Sequence, residues 1–248
     1  MPNLKQYNVV MKNIIIYLIA ILFSITQYSQ SKEECFANLS IFAEYAKVKN
    51  YKAAYQPWVD LKNQCPDLNS AIYVLGERML KYFIKTSDDS SKAQYQKDLV
   101  VLYDEWLQYF PKTKRGVNEV GKVLAIKAQA LSDYKLADDT EILKIYDEAF
   151  SRDPKSFKSP KGLYNYFKLY FKLYKAGDPS VTLEKVFDKY EELTEKFEYE
   201  MGVYTSKLDV LLKKEENSDP LTSREIRNKK VYGVNMVACN TYLNNLNA

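Results

Sequence analysis

The chain has no histidine. That excludes every mechanism built on an imidazole base or an imidazole metal ligand. Glycine and proline are scarce, at 7 and 8 of 248 residues, so the turns that separate the strands of a sandwich or barrel are too few. The three cysteines form no Cys-x-x-Cys pair, which removes dithiol redox chemistry. Phosphate-binding glycine loops and zinc spacings are absent as well. Charge of one sign is in small excess only: of the net +4, Lys5 and Lys12 supply two. No nucleic-acid partner is expected from such a balance. What remains is 46% hydrophobic and 27% charged, enough to bury a sizeable core and too apolar for disorder.

At the N-terminus, Lys12 precedes the apolar run Ile14–Ile25, which only Ser24 interrupts and which polar Thr26, Gln27, Ser29 and Gln30 follow. Twelve residues are short for a bilayer core of about 30 Å and suit the h-region of an export signal. Residues 1–30 therefore read as a signal peptide, with an uncleaved membrane anchor as the alternative. No Ala-x-Ala precedes the cut expected after Gln30, and Tyr28 stands where a small residue is preferred. Met11-Lys12-Asn13 is an alternative start with its own basic n-region. Lys32-Glu33-Glu34 before Cys35 is not a lipidation signal. The expected location is the periplasm or cell envelope, with membrane contact only by association or through that anchor.

The stretch Cys35–Pro66 reads as one antiparallel helical hairpin. Phe36, Leu39, Phe42, Ala43 and Ala46 recur at three- and four-residue spacing, on one side of a helix. Lys49-Asn50 breaks the run; Tyr51, Ala54, Trp58 and Leu61 resume it, and Pro66 stops it. Cys35 and Cys65 are equally distant in sequence from Asn50, so the fold-back sets them opposite each other at the open end, where a disulfide is geometrically reasonable.

Tyr45, Tyr51, Ala54, Trp58, Leu61 and Pro66 resemble the second half of a tetratricopeptide repeat, in its Ala-x3-aromatic-x2-apolar-x4-Pro portion. Terminating prolines recur at Pro66, Pro111 and Pro154. Leu99, Tyr103 and Trp106, then Ile142, Tyr146 and Ala149, repeat the offsets of Ala54, Trp58 and Leu61. Leu75-Gly76 and Val120-Gly121 fall where the family places an apolar and then a small residue. The spacing departs from the family's period of about 34 residues, and the extra residues are assigned to Thr86–Gln94 and Ser132–Asp139, between the helices of a unit. The resemblance is to exported, long-period repeats of the Gram-negative envelope type. It implies an all-α, right-handed superhelical solenoid of antiparallel helical hairpins whose concave groove takes a protein or peptide, with no enzymatic activity and no cofactor.

Residues 31–200 are assigned to these repeats and 201–248 to a further helical pair, truncated if the chain is the front part of a longer protein. Ser31 with Glu34, and Thr222 with Glu225, have capping-box spacing. Helices are expected over Asn69–Lys85, Gln94–Tyr109, Val117–Leu131, Asp139–Phe150, Pro160–Ala176, Thr182–Phe197, Met201–Glu216 and from Thr222 to about Leu246. Asp88-Asp89-Ser90-Ser91 reads as a solvated loop, and Gly177-Asp178-Pro179 as a turn.

Few residues carry chemistry. The carboxylate pairs Asp138-Asp139 and Glu191-Glu192 sit at a helix start and on a solvated face, so they are not read as acid and base. Cys239 is either buried or paired beyond the chain. The helix from Pro160 is the most informative surface: Lys161, Asn165, Lys168, Lys172 and Lys175 step by four, three, four and three residues into one polar stripe. Tyr164, Phe167, Phe171 and Tyr174 take a second face, and Leu163, Tyr166, Tyr170 and Leu173 a third. These aromatic faces are expected to pack against flanking helices, with a sugar- or lipid-facing platform as the alternative. By the family's phase Lys161 and Asn165 are groove residues and look like the lysine-asparagine half of its carboxylate clamp, whose other asparagine, lysine and arginine have no counterpart here; a solvated helix face is the alternative reading of the stripe. Arg115, Asn118 and Lys122, and before them Tyr73, Glu77 and Lys81, are the groove candidates of preceding units. The expected function is a non-enzymatic periplasmic or envelope scaffold for a protein or peptide partner, acidic if these lysines contact it. An envelope glycan- or nutrient-binding helical protein is the alternative, against which the missing lipidation cysteine speaks.

Overall fold

A computed structural model describes residues 32–247. The signal-peptide reading of residues 1–30 and the Ser31 half of the first capping box lie outside the described residues. Within them the fold is all-α, with nine helices and no strand: α1 (32–47), α2 (Tyr51–Gln64), α3 (Ala71–Thr86), α4 (Asp89–Tyr109), α5 (Val120–Tyr134), α6 (Asp139–Arg152), α7 (Pro160–Lys175), α8 (Leu183–Glu216) and α9 (Ser223–Asn247). No described helix is long and apolar enough to cross a membrane. The helices divide into two compact units, one ending at Glu105 and the other beginning at Trp106, so the division falls within α4.

In the first unit the hairpin forms as its spacing predicts. Lys49 takes a left-handed φ of 61° and Asn50 caps α2, its Oδ1 accepting the Ala53 N–H at 3.4 Å. Cys35 and Cys65 are bonded at the open end, with Cα atoms 6.2 Å apart. Phe36 is half exposed instead of buried. The inward stripe runs Cys35, Leu39, Phe42 and Ala46, so the cysteine takes the place that Phe36 was expected to hold. Across from it, Ala54, Trp58 and Leu61 are buried, and the Trp58 indole donates to the Ile72 carbonyl at 3.0 Å.

The three prolines mark helix ends. Helices α2, α4 and α6 stop at Gln64, Tyr109 and Arg152, two residues before Pro66, Pro111 and Pro154. The intervening residue precedes a proline, whose ring disfavours helical backbone at that position; Cys65 and Asp153 accordingly leave the helical region. The expected loop Thr86–Gln94 contracts to Ser87 and Asp88. Asp88 caps α4, accepting the Ser90 and Ser91 N–H groups at 3.1 and 3.0 Å. These bonds, with one from the Ser91 hydroxyl, hold its carboxyl below the ordinary range. The added length of this unit therefore appears as helix and not as loop.

In the second unit α5 starts at Val120, after a connection with a Lys112–Asn118 bridge and a tight turn at Gly116, φ 76°. Its start is capped from the far end of α6: Asp153 accepts the Gly121 N–H at 3.4 Å, and the Ser156 hydroxyl accepts the Lys122 N–H at 2.9 Å. Helix α7 begins with a Ser159 cap and Pro160 and ends before Gly177, as its sequence predicts. Leu163, Tyr166, Tyr170 and Leu173 are its buried face. Tyr166 and Tyr170 both donate to Asp147, the latter at 2.8 Å, and burial followed by these bonds pushes both phenols well above their ordinary range. The Lys189 ammonium lies 4.8–5.4 Å from the ring centres of Tyr166, Phe150 and Tyr170, over their electron-rich faces.

The largest departure from the sequence reading is α8. Thr182–Phe197 and Met201–Glu216 were expected as separate helices, yet they form one 34-residue helix, about 51 Å long. Glu198, Tyr199 and Glu200 contain no helix breaker, and Gly202 alone costs about 1 kcal/mol, too little to stop a helix that α9 supports. The expected boundary between residues 200 and 201 falls inside this helix. Helix α9 returns antiparallel: Tyr190 donates to Asn247 at 2.7 Å, and Lys214 pairs with Glu225 at 2.9 Å. Glu200, 1% exposed, pairs with Lys196 at 2.6 Å beneath α9. Cys239 is buried there, its thiol pushed up to about 11 by burial and then by the Glu200 charge, so it is an unreactive core group.

The second capping box forms as expected. Thr222 donates its N–H to Glu225 at 2.8 Å, and Glu225 returns its N–H to the Thr222 hydroxyl at 3.3 Å. Hydrogen bonds from Lys214 and then Thr222 hold the Glu225 carboxyl down to about 2. A depressed carboxyl stabilises the fold above its ordinary pKa and loses that effect as pH falls through the folded value. The first turn of α9 should therefore stay protected from amide exchange down to near pH 2, whereas Glu225→Gln should fray it at neutral pH. Carboxyl titration by NMR with a Glu225 midpoint above 4 would contradict this.

Candidate functional site: a basic groove on helix α7

The α7 stripe lines a groove of about 950 Å3 in the second unit. Lys161, Asn165, Lys168, Lys172 and Lys175 form its floor, Gln129 and Asp133 of α5 and Asp139 and Tyr146 of α6 one wall, and Asn245 and Leu246 of α9 the other. The stripe lies about half a helical turn from the buried Leu163, Tyr166, Tyr170 and Leu173, so core packing itself turns the lysines outward.

Two of the lysines are neutralised by the wall. Lys172 pairs with Asp139, and Lys161 lies 3.8 Å from Asp133. Lys168 and Lys175 have no carboxylate within 4 Å among the described residues. Their ammonium groups lie over aromatic faces instead, 5.6 Å from the Tyr164 ring centre and 4.5 Å from that of Phe171. They are seven residues apart, about 10 Å along the helix.

Asn165 is held in place. Its amide donates to Gln129 Oε1 at 2.6 Å, and the Gln129 amide donates to Asp133 at 2.7 Å. Tyr146 also donates to Gln129, at 3.3 Å, and burial followed by the Asp133 charge pushes its phenol well above the ordinary range. This relay fixes Asn165 one turn before Lys168, at one end of the pair of unpaired cations.

The aromatics of α7 divide into two sets. Tyr166 and Tyr170 are core, while Tyr164, Phe167 and Phe171 border the groove. Tyr164 stacks on Tyr242 of α9 at 5.0 Å, and Phe167 meets Tyr190 of α8 edge-on at 6.1 Å. Phe171 is 41% exposed. The groove thus offers two unpaired ammonium groups, an anchored amide and an apolar edge. Such a surface can hold carboxylates together with an apolar side chain.

No family model, curated protein or solved structure matches the chain.

The other candidates lie apart from this groove. Asn118 and Lys122 line a separate cavity of about 380 Å3 with Asp153 and Ser156. There Asn118 accepts the Val120 N–H at 3.2 Å, and Lys122 pairs with Glu119 at 2.6 Å. Arg115 is exposed in the connection before α5, not on a helix. Tyr73, in the first unit, is fully buried and donates to the Pro66 carbonyl at 2.9 Å, so its ring lines no surface. Glu77 accepts from Tyr103 at 3.0 Å and pairs with Lys81 at 2.6 Å. Of the carboxylate pairs, Asp138 caps α6 at 2.8 Å and Asp139 holds Lys172. Sequence reasoning missed Gln129 and Asp133. Their i, i+4 spacing, seven residues beyond Lys122 on an otherwise small and apolar helix, was the available signal.

Proposed function

We propose that the protein is an exported, non-enzymatic scaffold of the periplasm or cell envelope, a tetratricopeptide-like solenoid whose α7 groove binds an acidic, carboxylate-bearing segment of a protein partner. The observation that carries this reading is the pair Lys168 and Lys175, uncompensated cations on the same stripe as an amide that Gln129 holds one turn before Lys168. Lysines placed only for solubility need no such anchored neighbour. The phase shared by Pro66, Pro111 and Pro154 supports the solenoid, and the Cys35–Cys65 bond is compatible with export.

Exposed lysine contacts contribute about 0–1 kcal/mol each, so affinity rests on both acting together and weakens with added salt. The expected result for Lys168→Glu/Lys175→Glu is a loss of affinity of about tenfold or more for a fluorescein-labelled Glu/Phe peptide, with an unchanged melting temperature. Anisotropy titrations at low and moderate salt test this. Equal binding by wild type and variant at low salt would refute the groove.

A further inference from the structure

The opposite charge pattern stands on α8. Phe187, Glu191, Glu195 and Glu198 step by four, four and three residues along one exposed stripe, and Phe187 is 60% exposed. Among the described residues these three glutamates have no cation within 4 Å. The neighbouring lysines are committed elsewhere, Lys189 to Glu192 and Lys196 to Glu200. In the groove, Tyr164, Lys168, Lys172 and Lys175 step by the same four, four and three, also with the aromatic first. One helix carries an aromatic ring and three cations, the other an aromatic ring and three anions, in the same register.

The two stripes cannot meet within one chain. The lysine stripe points away from the buried face of α7, and the glutamate stripe lies roughly half a turn from Val186, Leu193 and Phe197, the buried face of α8. Helices α7 and α8 pack on each other, with Lys189 over Tyr166 and Tyr170. The stripes therefore leave opposite sides of the pair.

We propose that the α7 groove receives the Phe187–Glu198 stripe of a second copy of this chain. The inference rests on the groove reading above and names its occupant. Glu191 and Glu198 meet the unpaired Lys168 and Lys175, Glu195 shares Lys172 with Asp139, and Phe187 joins Tyr164. Because the contact joins two different surfaces, it leaves one groove and one stripe free at the ends, so association continues head to tail. Charge dominates this contact, which makes it salt-sensitive.

Sedimentation velocity of the full chain over a concentration series tests the proposal. Wild type should gain mass with concentration at low salt and lose it at high salt. The groove variant Lys168→Glu/Lys175→Glu and the stripe variant Glu191→Lys/Glu198→Lys should each stay monomeric. Mixed, they should associate head to tail in alternation, since the intact groove of one takes the intact stripe of the other and the two reversed surfaces complement each other in turn. A chain carrying all four reversals should associate again, which also shows that the variants fold. A wild type that is monomeric throughout, or a mixture that stays as two monomers, overturns the proposal. A labelled peptide of residues 183–202 separates the two levels. If it binds wild type but not the groove variant while the full chain stays monomeric, self-association is refuted and the acidic-segment groove survives; if it binds neither, and the Glu/Phe peptide fails as well, both fall.

Discussion

Removing the Cys35–Cys65 bond should cost about 3–4 kcal/mol of stability in the first unit. The bond closes a loop with a sequence separation of 30, and the chain-entropy model assigns that much to the restriction of the unfolded state. The loss should be local in its consequences. Helix α1 has 16 residues, of which Cys35, Phe42 and Ala46 are buried. A helix of that length is marginal by itself in water, so without the bond its attachment depends on those few contacts. The expected result for Cys35→Ala/Cys65→Ala is a lower urea midpoint and a collapse of amide protection in α1 and α2, with α5–α9 nearly unchanged. Reduction of wild type should reproduce it. Denaturation curves that coincide with and without reductant would contradict the prediction, and free thiols in protein isolated without reductant would remove its premise.

This bond also shows why some features were legible in the sequence. The hairpin, its turn and the pairing of its ends depend on contacts within about thirty residues, and apolar spacing together with one proline specifies them. The bounds of α7 follow equally from local chemistry: Ser159 and Pro160 start it and Gly177 ends it. Where tertiary partners decide, the reading departs from the structure. A division at Glu198–Glu200 fails because nothing there breaks a helix and α9 packs against α8 on both sides of it. An Asp-Asp-Ser-Ser run reads as a loop because it is polar, yet its first aspartate, Asp88, is a helix cap.

The candidate site divides in the same way. The lysine stripe depends on spacing within a single helix, and the structure places all five of its residues in one groove. Which of those lysines is free depends on Asp133 and Asp139, 28 and 33 residues before the lysines they hold, and no spacing rule reaches that far. Counting phase from the prolines placed Tyr73, Arg115 and Asn118 on groove faces. It failed for Tyr73 because that ring fills the core beneath Pro66, and for Arg115 and Asn118 because α5 begins only at Val120.

The helical glycines should respond to alanine with opposite signs. A Cβ on Gly121 would collide with the Asp153 carbonyl oxygen and lie 2.9 Å from that of Ala149, both backbone atoms at the end of α6. Backbone cannot rotate away, and Asp153 also receives the Gly121 N–H and bonds Ser156, so the whole junction must shift. The expected cost of Gly121→Ala is about 3 kcal/mol, at the upper end for overpacking. On Gly76 the Cβ would lie 2.5 Å from the Trp58 indole nitrogen and 3.2 Å from Leu102, side chains that can yield partly. There the cost should be about 1–2 kcal/mol, reduced by alanine's better helix propensity. Gly202 and Gly233 have nothing within 4 Å, so alanine should stabilise by about 0.5–1 kcal/mol at each. The order carries over to binding, because α5 holds Gln129 against Asn165 and a displaced α5 start loosens that anchor. Gly121→Ala should weaken capture of the Glu/Phe peptide even at temperatures where the variant remains folded, and Gly202→Ala should not. Calorimetric melting of the four variants gives the ranking directly, and a Gly121→Ala protein as stable as wild type would show that the α5–α6 junction is looser than its geometry requires.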